Sequence, residues 1–404
     1  NTVHPKIAGS LNNLGTTWGD LGDYRKAVSF HEHSMQMKQS IYGESATHPD
    51  ITDSLDNLGT ALRNLGDFRK AVSYHEQSLL MKRGIYGQTA HRSIAASLNN
   101  LGTALCDLGD YQNGASYHKQ ALQMWRSIYG ENTAHAEIAQ SLLNLGTASS
   151  HLGDHRKAVR YQEQSLKMMQ SIYGESTKHP NIAKSLDNLG TTWGALGDHE
   201  RAIGYHEQSL QMIQSICGDG TAHPGIAYSL NNLGSSWNAL GDHRKAVMYL
   251  EQALKMIRSV YGESTAHPKV ATSLSNLGTA LCDLGDYQNA ASYHKQALQM
   301  WRSIYGENTA HSEIAQSLQD LGTATSHLGD HRKAVICFER SLKMRRCIYG
   351  KNTAHPDTAW SLYNLGNVWI QLGDYKKAYS YYKQSLQMRR TIYGESTDHR
   401  EIAM

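Results

Sequence analysis

The sequence predicts an all-α solenoid of nine antiparallel helix pairs with a period of 44 residues, and three recurring words predict it. Asn-Leu-Gly, once Asp-Leu-Gly, places its glycine at Gly15, Gly59, Gly102, Gly146, Gly190, Gly234, Gly278, Gly322 and Gly366, 44 residues apart except for one step of 43. Leu-Gly-Asp follows seven residues later each time, from Gly22 to Gly373. Ile-Tyr-Gly closes each unit from Gly43 to Gly394, with Cys217 for Tyr and Val260 for Ile once each. Together the words hold 27 of the 35 glycines, so one unit organises the whole chain. A chain of 404 residues would otherwise suggest two or three globular domains. A fixed period replaces that expectation with one solenoid over 1–404, its units stacked because none buries its apolar face alone.

Each unit reads as two helices. In the first, Ile7, Leu11, Leu14 and Trp18 recur at spacings of three and four, one apolar stripe. Pro5 stands at the helix start, where its missing N–H costs nothing. Gly22 breaks the helix, and Asp23 is placed to cap the next by accepting from its free N–H groups. Ala27, Phe30, Ser34 and Met35 continue the stripe until Gly43 offers a left-handed stop. A short polar stretch such as Glu44–Thr47 leads to the next unit. The glycine of Asn-Leu-Gly lies mid-helix, where it costs about 1 kcal/mol relative to Ala. Close approach of the two helices, with no Cβ between them, offsets that cost.

Two stretches, 97–142 and 273–318, differ only at Asn99/Ser275, Gly114/Ala290 and Ala136/Ser312, so a four-repeat block is duplicated. Trp125 and Trp301 in these copies coincide with small Ser149 and Thr325 in the following unit, where others carry Trp18 or Leu62. That pattern predicts a volume-conserving exchange across a repeat interface.

The first unit's Leu11, Leu14, Gly15, Trp18, Gly22 and Ala27 resemble the tetratricopeptide signature in order and spacing. Two features depart from it: the family period is about 34, and the proline that ends the standard unit is gone. The lengthened unit, with its His-Pro-x-Ile-Ala-x-Ser-Leu-x-Asn-Leu-Gly start, is similar to the kinesin light chain and nephrocystin type of repeat. Similar arrays follow the nucleotide-binding module of many STAND-type receptor ATPases. The resemblance implies a right-handed superhelix whose concave wall is built from the first helix of each unit.

It also implies a lining for that groove. One row is Asn13, Asn57, Asn100, Asn144, Asn188, Asn232, Asn276 and Asn364, with Asp320 the exception. An amide donates and accepts, so such a ladder suits either the main chain of an extended peptide or bridging between repeats. The variable positions are Asp20, Asp53, Asp56, Arg63, Asp107, Lys184, Asp187, Tyr228, Asp283, Trp360 and Tyr363. Counted with Asp320, seven acids against two bases predict a polar or basic bound segment, with aromatic anchoring at Trp360 and Tyr363.

Other chemistry finds little support. Ten of the 22 histidines stand at helix starts (His4, His48, His91, His135, His179, His223, His267, His311, His355, His399), one per unit and too dispersed to share a metal ion. They read as caps or packing groups. His31-Glu32-His33 lacks the i, i+4 histidine pair of a zinc-protease helix, and no glycine opens a phosphate-binding loop. No catalytic residue, metal ligand or cofactor is expected. The five cysteines have no paired spacing, which points to a reducing, cytoplasmic compartment. The net charge of +3, without a basic run, gives no push toward nucleic acid or a membrane. The expected role is a protein-interaction scaffold; the alternative is a sensor array in a larger ATPase or motor adaptor. The chain reads as a fragment, with a partial tenth unit at 398–404, and its uncapped ends favour self-association.

Overall fold

A computed structural model describes residues 3–394 apart from 22, 44–45, 88, 219, 263–265, 308 and 352. Gly22, part of the Glu44–Thr47 connection, His399 and the partial unit at 398–404 lie outside the described residues. Every regular element within them is an α-helix, eighteen in nine antiparallel pairs. The chain divides into two compact units, 1–216 and 217–404. In the first unit the pairs are α1 (Pro5–Asp20) with α2 (Tyr24–Tyr42), α3 (Pro49–Leu65) with α4 (Phe68–Tyr86), and α5 (Arg92–Asp107) with α6 (Tyr111–Tyr129). They continue as α7 (Ala136–His151) with α8 (His155–Tyr173), and α9 (Pro180–Ala195) with α10 (His199–Cys217). The second unit holds α11 (Pro224–Leu240) with α12 (His243–Tyr261) and α13 (Pro268–Leu284) with α14 (Tyr287–Tyr305). Its last pairs are α15 (Ser312–His327) with α16 (His331–Tyr349), and α17 (Pro356–Gln371) with α18 (Tyr375–Tyr393).

Caps explain where these helices begin and end. Before each first helix a histidine accepts, through Nδ1, the N–H two residues on, as His4 does from Lys6 at 3.1 Å and His135 from Glu137 at 3.2 Å. The tyrosine of the preceding Ile-Tyr-Gly stacks on that ring, Tyr129 on His135 and Tyr173 on His179 at 3.5 Å between centroids. Tyrosine word and histidine are thus two halves of one joint between repeats. In the second to ninth hairpins the Leu-Gly-Asp glycine has positive φ, as Gly66 does in the left-handed region at φ 95° and ψ 3°. The aspartate after it accepts from the third N–H of the second helix, as Asp23 does from Lys26 at 3.1 Å. Gly43 also has positive φ, 101°, but its ψ of 144° is extended, so α2 ends in an open turn in place of the expected left-handed stop.

Stacking buries the apolar stripe. Ile7 and Leu14 of the first repeat are 41% and 46% exposed, whereas Ile51 and Leu58, their counterparts in α3, are 2% and 0% exposed beneath α2. Within each unit, the first helices of consecutive repeats also touch one another. They form the tighter inner row of that unit. Trp125 is buried in one core cluster with Ile138, Leu142 and Leu145 of α7, while the Ser149 hydroxyl donates to its own Leu145 carbonyl at 2.8 Å.

The mid-helix glycines meet side chains of the second helix. A Cβ on Gly15, Gly190 or Gly278 would lie 2.7 Å from the ring of His31, His206 or His294. Gln162, Leu250, Phe338 and Tyr382 occupy the same place against Gly146, Gly234, Gly322 and Gly366. The expected close approach is therefore side chain on backbone, and it recurs in every hairpin.

Gly278→Ala is expected to cost about 2 kcal/mol in urea unfolding, since the His294 ring must move. Gly204→Ala in α10, with nothing within 4 Å of the new methyl, should stabilise by about 0.5–1 kcal/mol. Equal effects would refute the contact. Trp125→Ala should cost about 3 kcal/mol, and a loss below about 0.5 kcal/mol, within the ordinary range for surface changes, would show that the indole is not part of the core.

Candidate protein-interaction surface

On each first helix, the outward stripe holds the residues six and two before the mid-helix glycine and one and five after it. Steps of four, three and four keep these on one face. In α5 they are Ala96, Asn100, Thr103 and Asp107; in α9, Lys184, Asn188, Thr191 and Ala195. All of these are at least partly exposed. The asparagine row lies in this stripe. Its next column, Thr16, Thr60, Thr103, Thr147, Thr191, Ser235, Thr279 and Thr323, escaped the sequence reading although the recurring Asn-Leu-Gly-Thr carries it. Seven of these hydroxyls donate to the carbonyl four residues back, Thr103 to Asn99 at 2.9 Å and Thr191 to Asp187 at 3.0 Å. Their oxygens are left facing outward as acceptors. The stripe also gains His151 and His327, stacked on Tyr111 and Tyr287.

The asparagines differ in what they already hold. Asn57 donates to Asn12 across the repeat joint at 3.1 Å, and Asn276 reaches Ser235 at 3.5 Å. Asn144 and Asp320 accept from Gln140 and Gln316 one turn earlier. Among the described residues, the side chains of Asn13, Asn100, Asn188, Asn232 and Asn364 make no hydrogen bond. Asn364 is nearly buried; the others are exposed or half-exposed.

One residue earlier the helix has turned about 100°, and side chains point into the hairpin. Asn99 holds His118 Nδ1 at 3.0 Å and donates to Ser141 of the next repeat at 2.8 Å. Asp187 belongs to this inward row, contrary to its expected place in the groove. It is 2% exposed, 3.0 Å from His206 Nδ1, and accepts from the Ser209 hydroxyl at 2.9 Å. Asp56 is likewise engaged by His75, the buried Lys82 ammonium and Ser97. Burial alone would raise its pKa, but His75 and Lys82 override this and hold it below the usual carboxylate value.

The other variable positions face outward apart from Tyr363, which like Asp56 and Asp187 stands three before its glycine and meets Tyr382 across the hairpin, contrary to its expected place in the groove. Asp20 and Asp53 are exposed, Asp53 lying 3.9 Å from Lys82. Arg63 pairs with Asp107 of the next repeat at 3.7 Å, and Asp283 accepts from Asn238 at 2.7 Å. Partial desolvation first, and the Arg63 charge second, lower the Lys184 pKa. In the second unit Lys269 lies 5.4 Å from the exposed Tyr228 ring. Trp360, 44% exposed, stacks on Tyr363 at 5.6 Å; Tyr363 in turn meets Tyr382 at 5.7 Å and the Arg389 guanidinium at 5.2 Å. With Asp56 and Asp187 committed inside hairpins and Asp107 paired, the acidic excess read from the sequence is largely used within the fold.

Among the described residues, no group of three or more His, Cys, Asp or Glu is arranged to hold a metal ion. None of the described helices is long and apolar enough to cross a membrane.

The tetratricopeptide repeat profile matches residues 6–83, 93–171, 137–215, 195–259, 269–346 and 358–401. The chain belongs to the tetratricopeptide repeat family. No curated protein sequence matches it. Among solved structures, the tetratricopeptide array is similar to apo NprR, a quorum sensor from B. thuringiensis, at TM-score 0.60 and 14% identity over 93% of this chain and 99% of that one. A Rap protein complexed with competence and sporulation factor aligns at 0.58 and 13%, covering 96% and 99%. These likenesses are of fold. The nearly identical TPR-like repeats of a putative kinesin light chain from Podosopora anserina are also a structural neighbour, at 0.42 and 23%, covering 52% and 97%.

Two titrations of opposite sign follow. Burial raises Asp320 to about 6, against the smaller opposing pull of Gln316 and Arg345. Its folded pKa exceeds the unfolded value of 3.8, so the charged form opposes folding increasingly as pH rises from about 4 to 6. Asp320→Asn should therefore stabilise by about 1–2 kcal/mol at pH 8 and by nothing near pH 4. Burial lowers His118 from 6.5 to about 4, so its contribution is present above pH 6.5 and lost as pH falls toward 4. His118→Gln, the residue that repeat four carries as Gln162, should flatten that acid limb; an unchanged slope would contradict the neutral buried ring.

Proposed function

We propose that this array is a protein-interaction scaffold and that the outward stripe of its first helices receives an extended segment of a partner. The observation that carries the reading is the uncommitted, half-exposed amides of Asn100 and Asn188 in the first unit, flanked by Thr103 and Thr191. An extended peptide exposes N–H and C=O groups alternately along its length. Amides that both donate and accept, beside hydroxyl oxygens that accept, complement such a main chain without selecting its side chains. Selection then falls to the variable column: Asp53 and Lys184 in the first unit, Tyr228 and Trp360 in the second. A mixed lining of this kind favours polar segments, and the exposed Asp20 and Asp53 favour basic residues near the first two repeats. The complex of a Rap protein of the same fold with competence and sporulation factor supports a binding role.

The test is selection from a random peptide library, followed by titration of the winners against the array and its Asn100→Ala/Asn188→Ala variant. The variant should retain its melting temperature and lose about tenfold in affinity, equal to about 1.4 kcal/mol. Winners that bind the variant equally well would remove the stripe as the site. Acidic winners that depend on these two amides would refute the preference for polar or basic segments.

A further inference from the structure

Charge in the second unit is segregated by helix. The second helix α16 carries Arg332, Lys333, Arg340, Lys343, Arg345 and Arg346 against the single carboxylate Glu339, and α18 carries five cations and no carboxylate. The first helices α15 and α17 hold only carboxylates. The sequence shows this poorly because no five cations are consecutive; the helix gathers them.

Within that basic face, one position is anomalous. In the sixth repeat Arg258 donates to Gln296 of the next second helix at 3.3 Å, and in the eighth Arg346 donates to Gln384 at 3.4 Å. The same spacing takes Arg302 of the seventh repeat to residue 340. That residue is Arg340, where the repeats on either side have glutamine. Arg302 and Arg340 line one open cleft of about 450 Å³ together with Lys343, Glu307 and Cys347. Among the described residues, the side chains of Arg302, Arg340 and Lys343 make no hydrogen bond or ion pair. The adjoining cleft shares Lys343 and Cys347 and adds Arg346, Lys351 and Glu339. A half-buried guanidinium whose acceptor has been replaced by a second cation lacks the counter-charge that its position calls for.

We propose that these joined clefts on α14 and α16 bind the carboxylates of a short acidic peptide segment of a partner protein, a site separate from the inner stripe. One carboxylate bridging Arg302 and Arg340 takes the acceptor role of the missing glutamine, and the next side chains of the segment reach Lys343 and Arg346. Nucleic acid fits less well. The carboxylates of Glu307 and Glu339 interrupt the face, so it suits a few discrete charges more than a long phosphate backbone.

The experiment measures fluorescence anisotropy of labelled octa-glutamate, octa-glutamine and oligo-dT against the full chain at low ionic strength. Octa-glutamate should bind and weaken with added salt, while octa-glutamine should not bind. Arg340→Gln restores the residue of the neighbouring repeats and gives Arg302 an acceptor. It should raise the melting temperature yet reduce octa-glutamate affinity at least fivefold. Octa-glutamate should also slow iodoacetamide alkylation of the exposed Cys347. Unchanged affinity in Arg340→Gln would overturn the site. So would an equal loss in Asn276→Ala/Asn364→Ala, which would place the peptide on the inner stripe and leave the proposed function standing. Oligo-dT binding more tightly, with the same Arg340 dependence, would overturn the peptide assignment.

Discussion

The contact on which the rest of the structure depends is a glycine on one helix pressed against a bulky side chain on its partner. Nine hairpins share it, and the side chain is His in five, with Gln, Leu, Phe and Tyr in the others. Chemistry therefore varies while shape is kept: each group is large, and each meets a helix that has no Cβ at that point. The cost of a mid-helix glycine is about 1 kcal/mol, well below the loss expected from forcing a methyl into a ring at 2.7 Å. Packing wins over propensity.

That contact also sorts polar groups. A buried histidine needs an acceptor for its ring N–H, and in four of the five histidine hairpins the residue three before the glycine supplies it, Asn12, Asp56, Asn99 or Asp187, whereas His294 Nδ1 is buried without one. Where the ring is replaced by Leu250, the matching Asn231 Oδ1 is buried and without a partner. The residue two before the glycine is rotated onto the outward stripe, although Asn57 still reaches back to Asn12 across the repeat joint. Adjacent asparagines in one sequence word thus have opposite fates, Asn99 fastening the hairpin and Asn100 left uncommitted and half-exposed.

Much of the fold was legible in the sequence because repetition itself marks helix ends. Proline starts, aspartate caps and the glycine register need only local chemistry, and they stand where the words placed them. The histidine caps were legible as positions, but their stacking on the tyrosine of the preceding word required the joint to be seen in space. The site was read less well. Asp187 and Asp53 look alike in a charge tally, and only the direction of the helix face separates the buried one from the exposed one. Asp56 was counted as groove charge because its partner Lys82 lies 26 residues away on the other helix. The Thr103 column was missed because a hydroxyl in a helix reads as neutral filler until its proton is seen turned inward.

The division between fastening and facing residues is tested most directly by equilibrium unfolding of two neighbouring substitutions, Asn99→Ala and Asn100→Ala. Asn99 holds His118 and Ser141 and is buried, so its loss should cost about 2 kcal/mol. Asn100 is half-exposed and should cost less than about 0.5 kcal/mol. Equal losses, or a larger loss at Asn100, would contradict the account, because the ladder would then be fastening repeats and not awaiting a partner.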